Sequence, residues 1–291
     1  MHYSTHLSFE AIGTHWEIDL TLDKKREVFL QKKIRKRIEE FDKAYSRFRN
    51  DSLISTISKS EGTFQMPEDF ELLFNVYKSL NAATSGLFTP LIGNTLEGLG
   101  YDKEYSLVPK TPRIPRNFQD VLTFAKGHLS TTHPVMLDFG AGGKGYLIDI
   151  IGDLLHKEGV EEYLIDAGGD ILHKSNSHDE IKIGLENPLD LKQVIGVSAI
   201  KNKSICGSAG NRRAWQGMHH IINPVTLVSP DNVLAVWVVA DTALVADAMS
   251  TALFLSQDEK VKTAYPCDYF ILYKDLTFDK SKGFDAELFI Q

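Results

Sequence analysis

The chain has 291 residues, of which 43% are hydrophobic and 24% are charged, as in ordinary globular proteins with a sizeable core. Its formal net charge of −7 argues against a nucleic-acid-binding surface, because such a surface needs a concentrated basic face. The two cysteines do not make a disulfide framework, and no apolar stretch reaches the roughly 18 residues of a transmembrane segment.

The N-terminal segment MHYSTHLSFEAIG lacks the basic region and the following apolar region that a signal peptide needs. We therefore expect a cytoplasmic protein. The alternative is an exported or membrane-anchored form from which an N-terminal signal has been removed.

The first elements in chain order are a strand pattern followed by helix patterns. Alternating apolar and polar residues predict a strand over 14–22, and apolar residues at helical spacing predict helices over 24–45 and 69–83. Residues 93–115 are rich in Gly and Pro and predict a long loop with short turns. The apolar residues that we expect to face inward from the first helix are Phe29, Ile34, Ile38 and Phe41.

The second half of the chain mixes strands and helices without regular alternation. Helices are predicted over 144–157 and 242–256. Strands are predicted over 135–139, 162–166, 181–186, 194–200, 233–239 and 268–274. This order favours a mixed α+β domain over a doubly wound parallel sheet, because the latter needs strands and helices in strict alternation.

Four glycines lie within six positions around Lys144 in the segment LDFGAGGKGYLID, residues 137–149. Glycines between a strand and a helix let consecutive N–H groups turn inward as a nest for an anion, and the helix start adds positive charge. We expect a phosphate group or a flat ring to approach this backbone. The alternative is a tight turn with a surface lysine, and the spacing is not that of a P-loop. A second glycine turn, DAGGD at 166–170, is interpreted as structural.

The segment ADAMSTA at 246–252 places Asp247 and Thr251 one helical turn apart on the same face. Two hard oxygen ligands at this spacing suit Mg²⁺, and the neighbouring Ser250 could add another oxygen. The alternative is a solvated carboxylate beside a threonine hydroxyl that bonds back to a helix carbonyl.

Two adjacent histidines, His219 and His220, precede the turn IINP. Because adjacent side chains on a strand point to opposite faces, we expect one histidine to face a pocket and the other to face solvent. A histidine can move protons near neutral pH, although a structural histidine is the simpler interpretation.

Eight segments share one order and spacing with a known family. They are GTHW at 13–16, YSRFRNDSLIS at 45–55, TSGLFTPLIG at 84–93, LDFGAGGKGYLID at 137–149, DAGGDI at 166–171, CGSAGNRR at 206–213, HHIINP at 219–224 and ADAMSTALF at 246–254. In this order they resemble the ApbE-like FAD:protein FMN transferases.

The resemblance implies one domain over residues 1–291, with a bilobed α+β fold, largely antiparallel sheets, packed helices and FAD bound between the lobes. It implies a Mg²⁺-dependent enzyme that transfers FMN from FAD to a threonine hydroxyl of an acceptor protein with a D-x-x-T motif, releasing AMP. No nucleic-acid partner is expected. The alternatives are a Mg²⁺-dependent FAD pyrophosphatase and a non-catalytic FAD-binding protein.

The resemblance also assigns roles to single residues. Its flavin-binding positions are Phe48, Leu87, Phe88, Thr89, Asp138, Lys144 and Ile222. Its metal contacts are the backbone carbonyl of Ala141 and the residues Asp247, Ser250 and Thr251, and His220 is its candidate for proton transfer. The chain departs from the family pattern at three positions that bear on flavin positioning and acceptor docking. They are Thr89, where Asp is usual, Leu227, where Gly is usual, and Ala209, where Ser is common.

Overall fold

The computed structural model describes residues 3–177 and 180–289 as a mixture of helices and antiparallel strands. The α-helices are α1 (Glu27–Tyr45), α2 (Leu53–Ile57), α3 (Phe70–Ala83), α4 (Gly93–Gly98), α5 (Phe118–Val121), α6 (Gly143–Lys157), α7 (Ala243–Leu255) and α8 (Glu259–Lys262). Short 3-10 helices lie at Lys24–Arg26 and Pro90–Ile92. Across the described ranges, no helix combines the length and the apolar character needed to cross a membrane.

The strands form one large sheet and three small ones. They are β1 (Thr5–Ala11), β2 (Thr14–Leu20), β3 (Gly62–Gln65), β4 (Leu122–Ala125), β5 (His128–Thr131), β6 (Tyr163–Ala167), β7 (Asp170–Lys174), β8 (Ile181–Glu186), β9 (Val194–Ile200), β10 (Ser204–Ala209), β11 (Ala214–Trp215), β12 (Met218–His219), β13 (Val233–Ala240), β14 (Asp268–Tyr273), β15 (Phe278–Lys280) and β16 (Ala286–Leu288). The large sheet has the order β1-β2-β6-β7-β10-β13-β14-β15, and the small sheets are β16-β9-β8, β3-β5-β4 and β11-β12. The predicted mixed α+β fold with antiparallel sheets is confirmed.

Both faces of the large sheet are buried at its centre, where neighbouring residues on one strand belong to different cores. On β10, Cys206 packs into the main core with α6 and α7, whereas Ile205 packs into a second core beneath the small β16-β9-β8 sheet. Ile271 and Phe270 on β14 divide in the same way. This alternation follows from the two-residue period of a strand, and it fixes which face of the sheet supports the helices.

Three details of the sequence-based prediction are wrong. The predicted loop over 93–115 begins with a helix, α4 (Gly93–Gly98). Phe29 is 52% exposed, and the neighbouring Leu30 fills the inward position of α1 with only 2% exposure, because it is Leu30 that lies one turn before Ile34. Residues 135–139 do not form a strand, since the Asp138 N–H donates to the Pro90 carbonyl at 2.8 Å rather than to a sheet neighbour. This segment leads directly into the glycine–lysine loop, residues 140–145.

Helices α6 and α7 cap each other at their N-termini. The Asp149 carboxylate on α6 accepts from the N–H groups of Ala243 and Leu244, both at 2.8 Å. In return, the Asp247 carboxylate on α7 accepts from the Gly145 N–H at 2.8 Å. Carboxylates stabilise helix N-termini because the first N–H groups of a helix have no partner within it. The two helices are therefore fixed in one relative position where they cross.

The crossing has no room for a side chain at Gly145. A Cβ there would lie 2.1 Å from the Ala243 carbonyl oxygen and 2.7 Å from the Asp247 Cβ. We expect Gly145→Ala to lower the free energy of unfolding by about 3 kcal/mol, because backbone atoms of α7 would have to move.

The matched control for this substitution is Gly143→Ala on the same helix. A Cβ at residue 143 would meet only ordinary contacts, at 3.6 Å and 3.9 Å. Its effect is expected to stay within about 1 kcal/mol. Urea denaturation of both variants measures the difference, and equal losses of stability would contradict the close helix crossing.

Candidate functional site

A cavity of about 420 Å³ opens beside the glycine–lysine loop. Its walls come from the segment that follows α1, the segment between α3 and α4, the loop before α6, the turn after β12 and the last turns of α7. Segments far apart in sequence therefore meet at one concave site. The volume is within the range of about 300–1,000 Å³ that is usual for small-molecule sites.

Most of the predicted site residues line this cavity. The lining residues among them are Phe48, Leu87, Phe88, Thr89, Asp138, Ala141, Lys144, His220, Ile222 and Thr251. Asp247 lies behind the loop, where it is 5% exposed and bonded to Gly145. Ser250 is fully buried, and its hydroxyl donates to the Asp247 carbonyl at 2.8 Å. The loop and the acidic helix thus lie together, with Ser250 directed into the protein.

The N–H groups of the four glycines in the glycine–lysine loop are bound to acceptors within the protein. The Gly142 and Gly143 N–H groups both donate to the Phe139 carbonyl, at 3.2 Å and 2.7 Å. The Gly140 N–H donates to Asp138 Oδ1 at 2.7 Å. The predicted nest of free amides is therefore wrong for this arrangement. The glycines instead permit close packing, since a Cβ at Gly142 would lie 3.2 Å from the Ala248 Cβ on α7.

A buried ion pair supports the loop from below. The Arg47 guanidinium, whose side chain is 1% exposed, pairs with the Asp138 carboxylate. It also lies 4.1 Å from the centre of the Phe48 ring and 5.1 Å from that of Tyr101. A buried charge is tolerated when it is paired and contacts aromatic faces, so this pair fixes both Asp138 and Phe48. The sequence analysis quoted the segment around Arg47 but missed its role, because residue spacing does not reveal a partner 91 positions away.

Aromatic rings form one wall of the cavity. The Phe48 ring lies parallel to Tyr105, with centres 5.4 Å apart and an interplanar angle of 8°. Tyr101 meets both rings edge-on and stacks on Trp215 at 5.5 Å. Such a wall suits a flat conjugated ring. Tyr101 and Tyr105 come from the segment that was predicted as a plain loop, and their aromatic character was the available signal.

Lys144 is held by a residue that the sequence analysis interpreted as part of a structural turn. Its ammonium pairs with the Asp170 carboxylate, whose side chain is only 2% exposed. Asp170 also accepts from the Gly207 N–H at 3.1 Å. The last residue of the segment DAGGD is therefore the counterion that fixes the position of Lys144 in the cavity wall.

Three hydroxyl groups meet at the α7 side of the site. The Ser208 hydroxyl on β10 lies 2.7 Å from the Ser250 hydroxyl and 3.1 Å from the Thr251 hydroxyl. All three side chains are buried. Ser208 was not predicted, although it belongs to the quoted segment CGSAGNRR. With the Asp247 carboxylate and the Ala141 carbonyl, these groups offer only oxygen ligands.

The two histidines do not divide between pocket and solvent as expected. His219 is half-buried, with Nε2 3.1 Å from the Pro230 carbonyl and its ring centre 5.4 Å from that of Phe254. His220 lines the cavity, and its buried Nδ1 has no hydrogen-bond partner among the described residues. Burial, reinforced by the Arg213 guanidinium, lowers the pKa of His220 to about 3. His220 is therefore a neutral proton acceptor at pH 7.

Two of the departures from the family pattern have visible structural roles. Thr89 is buried, and its hydroxyl accepts from the Leu91 N–H at 3.2 Å, which caps the 3-10 helix at Pro90–Ile92. Leu227 has φ of +61°, in the left-handed region that disfavours side chains with a Cβ. The glycine that is usual at this position would adopt that conformation without strain. In this chain the turn has the same left-handed conformation although it carries a leucine.

Comparisons with known proteins agree on one family. The model described as the ApbE family matches residues 12–266. The FAD:protein FMN transferase of Buchnera aphidicola subsp. Schizaphis graminum is 26% identical over 280 residues, covering 89% of this chain and 82% of the relative. That of Escherichia coli strain K12 is 25% identical, covering 89% and 80%.

Solved structures show that the fold is shared. The flavin transferase ApbE from Vibrio cholerae has a TM-score of 0.81 at 22% identity, covering 95% of this chain and 96% of its own. The ApbE protein from Thermotoga maritima has a TM-score of 0.83 at 21% identity, covering 97% of both chains.

The low pKa of His220 makes the protein less stable in acid. An unfolded histidine binds a proton near pH 6.5, whereas folded His220 does so only near pH 3, so the unfolded chain holds more protons between these values. Stability contributed by neutral His220 is therefore lost as pH falls from about 6.5 towards 3. We expect His220→Gln to lose less stability between pH 7 and pH 5 than the wild-type protein.

Urea denaturation at the two pH values measures this difference. The matched control is His156→Gln, which changes an exposed histidine on α6 that does not line the cavity. A His220→Gln variant with the same pH dependence as wild type would show that the ring is not kept neutral by its surroundings.

Proposed function

The chain belongs to the ApbE family and is a flavin transferase, and from this premise we propose that it carries out a Mg²⁺-dependent transfer of FMN from FAD to a threonine hydroxyl of an acceptor protein, with release of AMP. The observation that carries the proposal is the meeting of the glycine–lysine loop with the acidic helix α7 beside one cavity that has an aromatic wall. The proposed domain is a single unit with FAD held between two lobes.

The aromatic wall would hold the flat ring system of the flavin. Phe48, with Leu87, Phe88 and Ile222, supplies apolar contact area, and Asp138 is kept rigid by Arg47 and the Gly140 N–H. Lys144 would face the diphosphate. Its charge is balanced by Asp170 in this arrangement, so a diphosphate would add a second anionic partner to an ammonium that is already positioned.

The oxygen ligands on the α7 side fit Mg²⁺ in chemical type. Among the described residues, no cluster of three or more His, Cys, Asp and Glu side chains could hold a metal by itself. An ion held by Asp247, the Ala141 carbonyl and Thr251 would therefore need diphosphate oxygens to complete its shell, as Mg²⁺ commonly does. Ser250 would support Asp247 through its carbonyl contact rather than reach the ion. When bound, Mg²⁺ would neutralise the diphosphate and stabilise the departing AMP.

His220 is the proposed acceptor of the threonine proton. The threonine oxygen would form a bond to the FMN phosphorus, the bond from that phosphorus to the AMP phosphate oxygen would break, and the hydroxyl proton would pass to His220. The pKa of His220, which is lowered to about 3, makes it a weak base without substrate. The negative charge of bound diphosphate would raise this pKa and so strengthen the base when the substrate is present.

Mass spectrometry tests the proposed reaction directly. The protein is incubated with FAD, Mg²⁺ and a peptide that carries a D-x-x-T motif. A mass gain of one FMN on the peptide is the expected result. Free FMN and AMP without peptide modification would indicate the alternative pyrophosphatase, and intact FAD would indicate a binding protein; either result would contradict the proposal.

Asp247→Asn separates metal binding from flavin binding. The asparagine oxygen can still accept from the Gly145 N–H, so the helix crossing is kept, but the negative charge is lost. We expect affinity for Mn²⁺, measured by electron paramagnetic resonance as a substitute for Mg²⁺, to fall at least about tenfold. FAD affinity without metal, measured by flavin fluorescence, is expected to change less than about threefold.

The control is Asp241→Asn, which removes an 86% exposed carboxylate just before α7. It should leave both affinities unchanged. If Asp247→Asn and Asp241→Asn bind Mn²⁺ equally well, Asp247 is not a metal ligand.

A further inference from the structure

A second cavity, of about 500 Å³, lies directly beside the first one. It is lined by the C-terminal end of α3, by residues 114–119 and by residues 224–225 of the turn after the histidines. Thr89 lines both cavities. At this point a single residue, Thr89, separates a molecule in the second cavity from the first cavity.

The wall between the two cavities is held by hydrogen bonds. The Asn81 side-chain amide is buried and donates to the Phe88 carbonyl at 3.0 Å, just before Thr89. The Asn81 carbonyl accepts from the Gly86 N–H at 2.8 Å, so the end of α3 is closed by its own turn. The Leu80, Asn81 and Ala82 carbonyls at this helix end all accept hydrogen bonds, which helps to fix the wall as an uncharged surface.

The rim of the second cavity is apolar and exposed. Ile114 is 62% exposed and Val225 is 60% exposed, and both line the cavity with Pro115 and Pro224. Large apolar side chains that border a concave surface are typical of sites that bind a polypeptide. Prolines on each side restrict the backbone of the rim and so reduce the conformational entropy that binding would cost.

Positive charge without a counterion lies along the same segment. Lys110 is 3.4 Å from the Asp102 carboxylate. By contrast, the exposed Arg113 and Arg116 have no carboxylate within 4 Å in the part of the chain that the structure describes. Arg116 lines the second cavity. On a chain with a net charge of −7, two uncompensated arginines next to an apolar cavity favour an acidic partner.

We propose that the second cavity is the docking site for an acidic segment of the acceptor polypeptide. The segment packs its apolar atoms between Ile114 and Val225 and places a carboxylate at Arg116, so that its hydroxyl residue lies against Thr89, the residue that the second cavity shares with the first. This proposal rests on the proposed function for the existence of an acceptor. It adds where the acceptor binds and which charge it carries.

Binding of two labelled peptides, measured by fluorescence anisotropy with FAD present, tests the proposal. One peptide carries a threonine in an Asp-rich D-x-x-T segment, and the other has Asn in place of every Asp. For Arg116→Glu we expect the Kd of the acidic peptide to rise roughly fivefold or more, and that of the neutral peptide to change little. Added salt should weaken binding of the acidic peptide to the wild-type protein.

Lys182→Glu is the matched control. Lys182 is an exposed cation on β8 that lines neither cavity, so the same charge reversal there should leave both Kd values unchanged. A second variant, Val225→Glu, changes an exposed residue of the rim and leaves the protein core intact. It should also weaken binding of the acidic peptide. Affinity for FAD should stay at the wild-type value in all three variants.

Three outcomes would overturn the docking site: no binding of the acidic peptide to the wild type, equal binding to wild type and Arg116→Glu, or equal losses in Arg116→Glu and Lys182→Glu. Transfer of FMN to the bound peptide is followed separately by mass spectrometry. A peptide that binds in the expected way but gains no FMN supports the docking site and contradicts the proposed function.

Discussion

The mutual capping of α6 and α7 is the constraint on which the site depends. Each helix supplies a carboxylate to the first turn of the other, and a glycine at the crossing allows backbone contact. Because the glycine–lysine loop enters α6 and Asp247 lies on α7, any change in this crossing would alter the position of Lys144 relative to Asp247 and Thr251. The hydrogen bond from the Gly145 N–H to Asp247 therefore stabilises both the helix crossing and the position of the loop.

Two of the cations that line the cavity are paired within the protein before any ligand arrives. Arg47 pairs with Asp138, and Lys144 pairs with Asp170. In each pair at least one of the two side chains is almost fully buried. Such pairs cost desolvation energy, so they are poor sources of stability, but they hold charged groups in one orientation. The cavity therefore has polar groups that need little reorganisation on binding, which is how preorganised sites limit the entropic cost of association.

The sequence predicted the four long helices α1, α3, α6 and α7, and in α3 and α6 the apolar residues repeat with a clear period. It did not predict the short helices α2, α4, α5 and α8, which are too short to show a period. It did not predict the segment 135–139 correctly, since an apolar run looks the same whether or not it pairs with a strand. Nor could it separate the two uses of glycine in the loop, because a nest of free amides and a close helix crossing both require a missing Cβ. Partners such as Arg47 and Asp138, which are 91 residues apart, depend on tertiary packing.

The helix crossing also has a consequence for the order in which the molecule takes shape during synthesis. Gly145 and Asp247 are separated by 102 positions, and Asp149 and Ala243 by 94. When α6 emerges from the ribosome, the nascent chain still lacks helix α7 and the Asp247 carboxylate that caps α6. Contacts of such long sequence separation are slow to form because loop closure must precede them. The cavity beside this crossing is thus completed only when most of the polypeptide has been made.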